Sequence, residues 1–259
     1  MAGSCLRFSG VGKRFGKAGT AITAVENVNL EVATGEFVAL IGPSGCGKST
    51  LLNMASGLDR PSDGEVFVEG VKVNGPNAHV AFMLQKDLLL PWRTIRRNVE
   101  FGQEIQHVAA AERTRRAEAL LKKYQLGEVM DFYPHQLSGG MRQRAALART
   151  MVMEPRLLLM DEPFSALDAQ TKMVLQQDLA RTLAETQRTA LLITHDLDEA
   201  VALADRVLVM SKRPGHITHE IVVDLPDRAN PIGRRQMPEI TRYTKQLMEL
   251  LDIGHGLDH

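Results

Sequence analysis

An α/β fold with a mostly parallel sheet, N-terminal antiparallel strands and an inserted helical subdomain is predicted by three observations. Short, mostly apolar runs at 37–41, 157–160, 189–193 and 206–210 have the length of buried strands, and 37–41 is continuously apolar, as a strand buried on both faces should be. Helical patterns separate the last three of these, and such alternation favours a parallel sheet covered by helices. Between about Lys86 and Glu154 the strand signals stop, and good helix formers dominate, most clearly from Ala110 to Tyr124. The predicted organisation is therefore an α/β core from 1–85 and 156–224, a helical subdomain from 86–155, and a C-terminal extension from 225–259.

The elements follow in order. Leu6 to Phe8 and Ala24 to Val32 read as strands, the second with partial alternation, and Phe37 to Ile41 as a fully buried one. A glycine-rich loop leads into a helix beginning near Lys48. Gly64 to Val73 reads as a hairpin turning near Glu69-Gly70, and Val80 to Leu84 as another strand. After the helical insertion, Ala169 to Glu185 carries Leu175, Leu179 and Leu183 in an i, i+4, i+8 stripe. Asp196 to Ala204 is a shorter helix, and Pro238 to Leu251 supplies one in the extension.

Composition narrows the function. The 259 residues hold 31 Lys plus Arg against 31 Asp plus Glu, so the formal net charge is zero. A general nucleic-acid binder needs a basic excess to displace counterions, and no nucleic-acid partner is expected. Arg113, Arg115, Arg116, Lys122 and Lys123 read as a solvated helix face. No run approaches the roughly 20 apolar residues of a membrane span, and the first residues lack an apolar core of signal-peptide length. Two cysteines, Cys5 and Cys46, cannot form a disulfide framework. Neither His216 with His219 nor His255 with His259 has a convincing metal-ligand context: the first pair points to opposite faces of a predicted strand, and the second lies in a Gly-containing tail.

Gly42-Pro43-Ser44-Gly45-Cys46-Gly47-Lys48-Ser49 fits G-x-x-x-x-G-K-[ST] and falls between a predicted strand and a predicted helix. The glycines allow consecutive backbone N–H groups to turn inward as an anion nest, and the following helix aims its positive end at the same point. Lys48 is expected on the β- and γ-phosphates and the Ser49 hydroxyl on Mg²⁺. Cys46 reads as a small loop residue and not a nucleophile. Asp161, at the end of the 157–160 strand, is the expected acidic partner of the metal. Glu162, projecting differently, can accept a proton from attacking water. A dinucleotide fold would place G-x-G-x-x-G after the strand, and the spacing of Gly42, Gly45 and Gly47 does not. The core thus reads as a P-loop NTPase. Leu137-Ser138-Gly139-Gly140-Met141 opens a second helix, with Ser138 as N-cap and two glycines exposing backbone N–H groups. Spacing alone leaves open whether this second anion-binding terminus faces the first.

With these motifs in order, the chain resembles the ATP-binding subunit of ABC transporters. Leu137 to Met141 is similar to the family's signature sequence, Ser165-Ala166-Leu167-Asp168 to its D-loop, Gln85 to its Q-loop glutamine, and His195 to its switch histidine. The resemblance covers about residues 5–224. It implies ATP and Mg²⁺ as cofactors, with Phe15 stacking on adenine, the 42–49 loop and Thr50 holding phosphates, and Ser49, Gln85 and Asp161 around the metal. It implies Glu162 as general base, assisted by His195, with Gln85 also sensing the transmembrane partner. Two subunits would form a head-to-tail sandwich, in which Ser138, Gly139 and Gly140 contact the γ-phosphate across the dimer and Asp168 couples the sites. Asp87 to Thr94, with three leucines and the only Trp, and Lys212 to Ile217, look like the nitrate, sulfonate and taurine importer branch. Lys86 departs from the acidic or amide residue frequent there. That branch implies integral permease subunits, an external solute-binding protein acting indirectly, and a peripheral place on the cytoplasmic face of the inner membrane. The alternative is a soluble ABC-type nucleotide switch, which would ordinarily carry a long coiled-coil insertion or two fused ATPase domains; 259 residues hold neither. A P-loop metabolite kinase would leave the signature helix and D-loop unexplained.

Overall fold

The computed structural model describes residues 3–16 and 20–252. His255 and His259 lie outside the described residues. Two sheets stack near the N-terminal part of the chain. The first is antiparallel, in the order β2-β1-β4-β5, from β1 (Ser4–Phe15), β2 (Ile22–Ala33), β4 (Asp63–Val68) and β5 (Val71–Lys72). The second has the order β10-β9-β3-β8-β7-β6, from β3 (Phe37–Ile41), β6 (Val80–Met83), β7 (Leu157–Asp161), β8 (Thr189–Ile193), β9 (Arg206–Met210) and β10 (Ile217–Val222). Within it all pairs are parallel except β10 with β9.

The continuous apolar strands are explained by what covers them. In β3, Phe37, Ala39 and Ile41 belong to a core shared with helices, while Val38 and Leu40 belong to one shared with the antiparallel sheet and α1 (Lys48–Ser56). Strands β7 and β8 divide in the same way, Leu158 and Leu192 to one side, Leu159 and Leu191 to the other. Alternating side chains that both meet protein leave no solvent face to carry polar residues.

One strand is longer than its pattern suggests. β1 runs on from Phe8 to Phe15 although Ser9, Gly10, Gly12 and Lys13 interrupt the apolar run. Register shifts between Phe8 and Val11 and again around Lys13 absorb the interruptions, and Gly10 adopts φ +58°. Bulges let the strand continue where strict alternation fails. Its end carries Phe15 to the site.

The insertion contains α2 (Ile95–Ile105), α3 (Ala110–Lys123) and α4 (Gly139–Met151), packed on one another. On α3, Arg115 and Arg116 pair with Glu112, and Lys123 pairs with Glu185, as a solvated face would. After β7 come α5 (Ala169–Thr186), α6 (Leu197–Leu203), α7 (Pro231–Arg235) and α8 (Glu239–Leu250). Ile240, Tyr243 and Leu247 of α8 share the buried core that holds Leu197 and Val201, and Thr244 donates to Asp198 at 2.8 Å. The C-terminal helix is thus packed on the α/β core. Among the described residues, no helix is long and apolar enough to cross a membrane.

Candidate ATP-hydrolysis site

The parallel strands end in a cleft of about 360 Å³ whose walls include Phe15, Ser44, Lys48, Ser49, Glu162 and Arg213. Gly45, Gly47 and Thr50 also line it. A larger cleft, about 790 Å³, lies at the opposite end of the sheet, where Gly35, Arg156, Arg188 and Asp205 precede their strands. Chemistry favours the smaller one. A parallel α/β sheet places ligands at the carboxyl ends of its strands, and the anion nest and paired functional groups are there.

The loop after β3 is shaped by positions where a side chain would not fit. Gly47 has φ +108°, and a Cβ there would stand 2.3 Å from Val25 Cγ1. Gly47 is also the N-cap of α1, with no side chain capping the helix, so the first-turn N–H groups remain for a ligand. Lys48 is buried and donates to the carbonyl oxygens of Gly42 at 2.7 Å and Pro43 at 2.9 Å. Cys46 is buried beneath the loop, with Sγ 3.8 Å from Lys48 Nζ, consistent with a small packing residue.

Asp161 ends β7 and is hydrogen-bonded to Ser49. Burial pushes its carboxyl above the ordinary value, opposed by the Ser49 hydrogen bond; the Glu162 charge raises it further and Lys48 lowers it. A half-buried carboxylate beside a hydroxyl offers hard oxygen donors, the chemistry that suits Mg²⁺. Among the described residues no group of three or more His, Cys, Asp or Glu could hold a metal unaided.

Glu162 turns away from Asp161 because its φ is +47°, a left-handed conformation costly for a side-chain-bearing residue. The turn is held by its N–H, which donates to the Ile193 carbonyl at 3.0 Å. Its Oε2 lies 3.1 Å from His195 Nδ1. Parallel pairing of Asp161 with Ile193 is what brings together two residues 33 positions apart. Gln85 is tied to the same segment: its amide donates to the Ser165 hydroxyl at 3.1 Å, and that hydroxyl donates to the Glu162 carbonyl at 3.0 Å.

Ser138 caps α4, accepting from the Met141 N–H at 3.3 Å, and is exposed with Gly139. A Cβ on Gly140 would fall 2.4 Å from Thr171 Cγ2, so α4 approaches α5 closely there. Asp168 caps α5 through the Thr171 N–H at 3.0 Å. None of Ser138, Gly139, Gly140 or Asp168 is among the residues that line this chain's own cleft.

Three contributors escaped sequence reasoning. Arg213 is one. Gln143, buried on α4, donates to the Pro163 carbonyl at 2.6 Å and so ties the signature helix to the residue after Glu162. Lys172 of α5 pairs with Asp196 at 2.6 Å and Glu199 at 2.8 Å, fixing the residue that follows His195. Lys172→Ala leaves Glu199, 2% exposed, without its cation, and is expected to cost about 3 kcal/mol of stability in chemical denaturation. A loss below about 0.5 kcal/mol, as for an ordinary surface change, would remove Lys172 from this role.

A model of the ABC transporter family matches residues 25–165, from β2 through Ser165. The chain belongs to that family. It is an ATP-binding ABC ATPase, with the α/β core and mixed sheets of that fold. Similar relatives include the nitrate import ATP-binding protein NrtD of Synechocystis sp., 44% identical over 241 residues, covering 91% of this chain and 90% of the relative. The aliphatic sulfonates import ATP-binding protein SsuB 1 of Xanthomonas axonopodis pv. citri is 42% identical over 258 residues, covering 99% of each. Among solved structures, the dimeric post-hydrolysis state of the ATP-binding cassette MJ0796, bound to ADP and Pi, superposes with TM-score 0.75 at 32% identity, covering 85% of this chain and 99% of that one.

Proposed function

We propose that this ABC ATPase is the energy-coupling subunit of an importer for a small oxyanion or organic acid. It works as a head-to-tail pair held by integral permease subunits at the cytoplasmic face of the membrane, with an external binding protein acting through the permease. Residues 1–85 and 156–224 form the nucleotide-binding core and 86–155 the partner-facing subdomain. In the cleft, Phe15 stacks on adenine; its ring already has Lys13 Nζ 5.0 Å from the centroid. The 42–49 loop and Thr50 bind phosphates. Ser49 and Asp161 would hold Mg²⁺, approached by Gln85, and the ion would neutralise phosphate charge. Glu162 takes the proton of the attacking water, and His195, in contact with Glu162, orients both toward the γ-phosphate. The signature residues Ser138, Gly139 and Gly140 serve the partner's nucleotide, and Asp168 links the two sites. That these lie outside their own chain's cleft supports the two-chain reading.

The observation that carries the importer reading is the segment after Gln85. Leu89 is buried in the core, while Leu88 and Trp92 are 53% and 71% exposed. Arg149 holds the Asp87 and Leu88 carbonyls at 2.6 and 2.7 Å, presenting Leu88 at φ +45°. An apolar pair held outward on a fixed loop suits a short helix of a membrane subunit. The names of the nitrate and sulfonate import relatives support the same branch.

Co-expression with a candidate pair of permease subunits tests the reading. The wild-type chain should co-purify with an integral membrane subunit. Leu88→Asp with Trp92→Asp should abolish this while leaving ATP binding by the free chain unchanged. Recovery of the wild-type chain only as free protein, from membranes holding the permease, would favour the uncoupled switch.

A further inference from the structure

Between β9 and β10 the segment 211–216 forms a closed turn. The Ser211 N–H donates to the His216 carbonyl at 3.0 Å, and the His216 N–H returns a bond to Ser211 Oγ at 3.0 Å. The turn is pinned to β2: the Gly215 N–H donates to Ala24 at 2.9 Å, and the Glu26 N–H donates to Gly215 at 3.0 Å. It also presses against the phosphate loop, since a Cβ on Gly215 would sit 2.0 Å from the Cys46 carbonyl oxygen. Only glycine permits that approach. The consequence is that Arg213, two residues earlier, forms part of the nucleotide cleft's wall.

Arg213 is exposed, and among the described residues its guanidinium has no carboxylate or carbonyl partner. Lys48 is the other cationic side chain lining the cleft, and Glu162 is the anionic one. With Asp161 beneath, the two carboxylates outweigh Lys48 alone. Arg213 brings this set of side chains to balance, where the ligand is a polyanion. A guanidinium presents paired donors matched to phosphate oxygens and stays charged at all working pH values.

We propose that Arg213 is a phosphate-binding residue of this chain's ATP site, donating from the 211–216 turn to the triphosphate. The inference rests on the cleft being the nucleotide site. It makes Gly215 the residue that sets the guanidinium's distance from the phosphate loop.

The test is equilibrium titration of the full chain with MgATP, MgGTP and adenosine for wild type, Arg213→Ala and Arg213→Lys. Arg213→Ala should weaken MgATP and MgGTP alike, each by about tenfold, as loss of a hydrogen-bonded charge predicts. Adenosine binding should change less than about twofold, because tenfold corresponds to a phosphate contact that the nucleoside cannot make. Arg213→Lys keeps the charge but not the paired donors and should recover only part of the lost affinity. MgATP binding within about twofold of wild type in Arg213→Ala would overturn the proposal, since twofold is well under the energy of one such bond. Equal weakening of adenosine and ATP would also overturn it, placing the side chain on the nucleoside or making its role merely structural. If the alanine variant unfolds, the lysine variant decides: a folded Arg213→Lys that leaves MgATP binding unchanged, or weakens MgATP and adenosine equally, overturns the proposal. Lys48→Ala separates the two readings. Loss of ATP binding there with retention in Arg213→Ala would sink Arg213 alone, and retention in both would sink the site.

Discussion

Glu162→Gln is expected to bind MgATP with near wild-type affinity and to hydrolyse it about 10²- to 10⁴-fold more slowly, the usual contribution of a positioned general base. Glutamine has the size of glutamate and can keep the 3.1 Å contact with His195, so the geometry at the strand ends survives while the proton acceptor is lost. The left-handed turn at Glu162, held through Ile193, is unaffected because its bonds are backbone ones. Single-turnover hydrolysis with radiolabelled ATP, beside an equilibrium binding curve, separates the two effects. Wild-type turnover in the variant would transfer the base to another group. Weakened binding with unchanged turnover would instead make Glu162 a ligand to the nucleotide.

Lys48→Ala is expected to lose nucleotide affinity by at least about a hundredfold, since it removes a charge-assisted phosphate contact in a buried setting. The ammonium has three donors, two of which serve the Gly42 and Pro43 carbonyls. Its loss therefore loosens the loop and removes its phosphate-facing charge together. Thermal unfolding gives a direct readout. At 100 times the dissociation constant, ligand stabilises a protein by about 2.7 kcal/mol. The wild-type midpoint should rise accordingly with MgATP, whereas Lys48→Ala at the same concentration should gain no more than about 0.4 kcal/mol. An equal rise in both proteins would take Lys48 out of the phosphate site.

Much of this site is legible in the sequence because its chemistry is local. The run from Gly42 to Ser49 carries its own backbone geometry, and Asp161-Glu162 follows a strand that buries both faces. Ser138 caps its helix through a bond to Met141, three residues on, which a linear pattern contains. His195 is readable through the family resemblance, as the histidine just after an apolar strand; that β7 and β8 are parallel neighbours, which brings it to Glu162, is seen only in the fold. What the sequence conceals depends on contacts between distant segments. Arg213 is an unremarkable cation in a turn until Gly215 is seen against Cys46. Lys172 reads as a helix-surface residue, yet it holds Asp196 and the buried Glu199. Periodicity stops short on β1, where bulges carry a strand past Gly10 and Gly12 as far as Phe15. The leucines after Gln85 are divided by the fold, with Leu89 turned to the core and Leu88 to solvent, a distinction that composition cannot make.

In the proposed dimer, one chain holds half of each of two ATP sites, its cleft being closed by the signature helix of a second copy. The most direct measurement is the light-scattering mass of Glu162→Gln with and without MgATP. Each chain has a mass of 28.6 kDa. Without nucleotide the variant should run at that mass, and with MgATP at twice it. Adding Ser138→Arg to the same chain should return it to the single mass with ATP still bound. A Glu162→Gln chain saturated with MgATP that stays at the single mass, or a dimer indifferent to Ser138→Arg, would contradict the account.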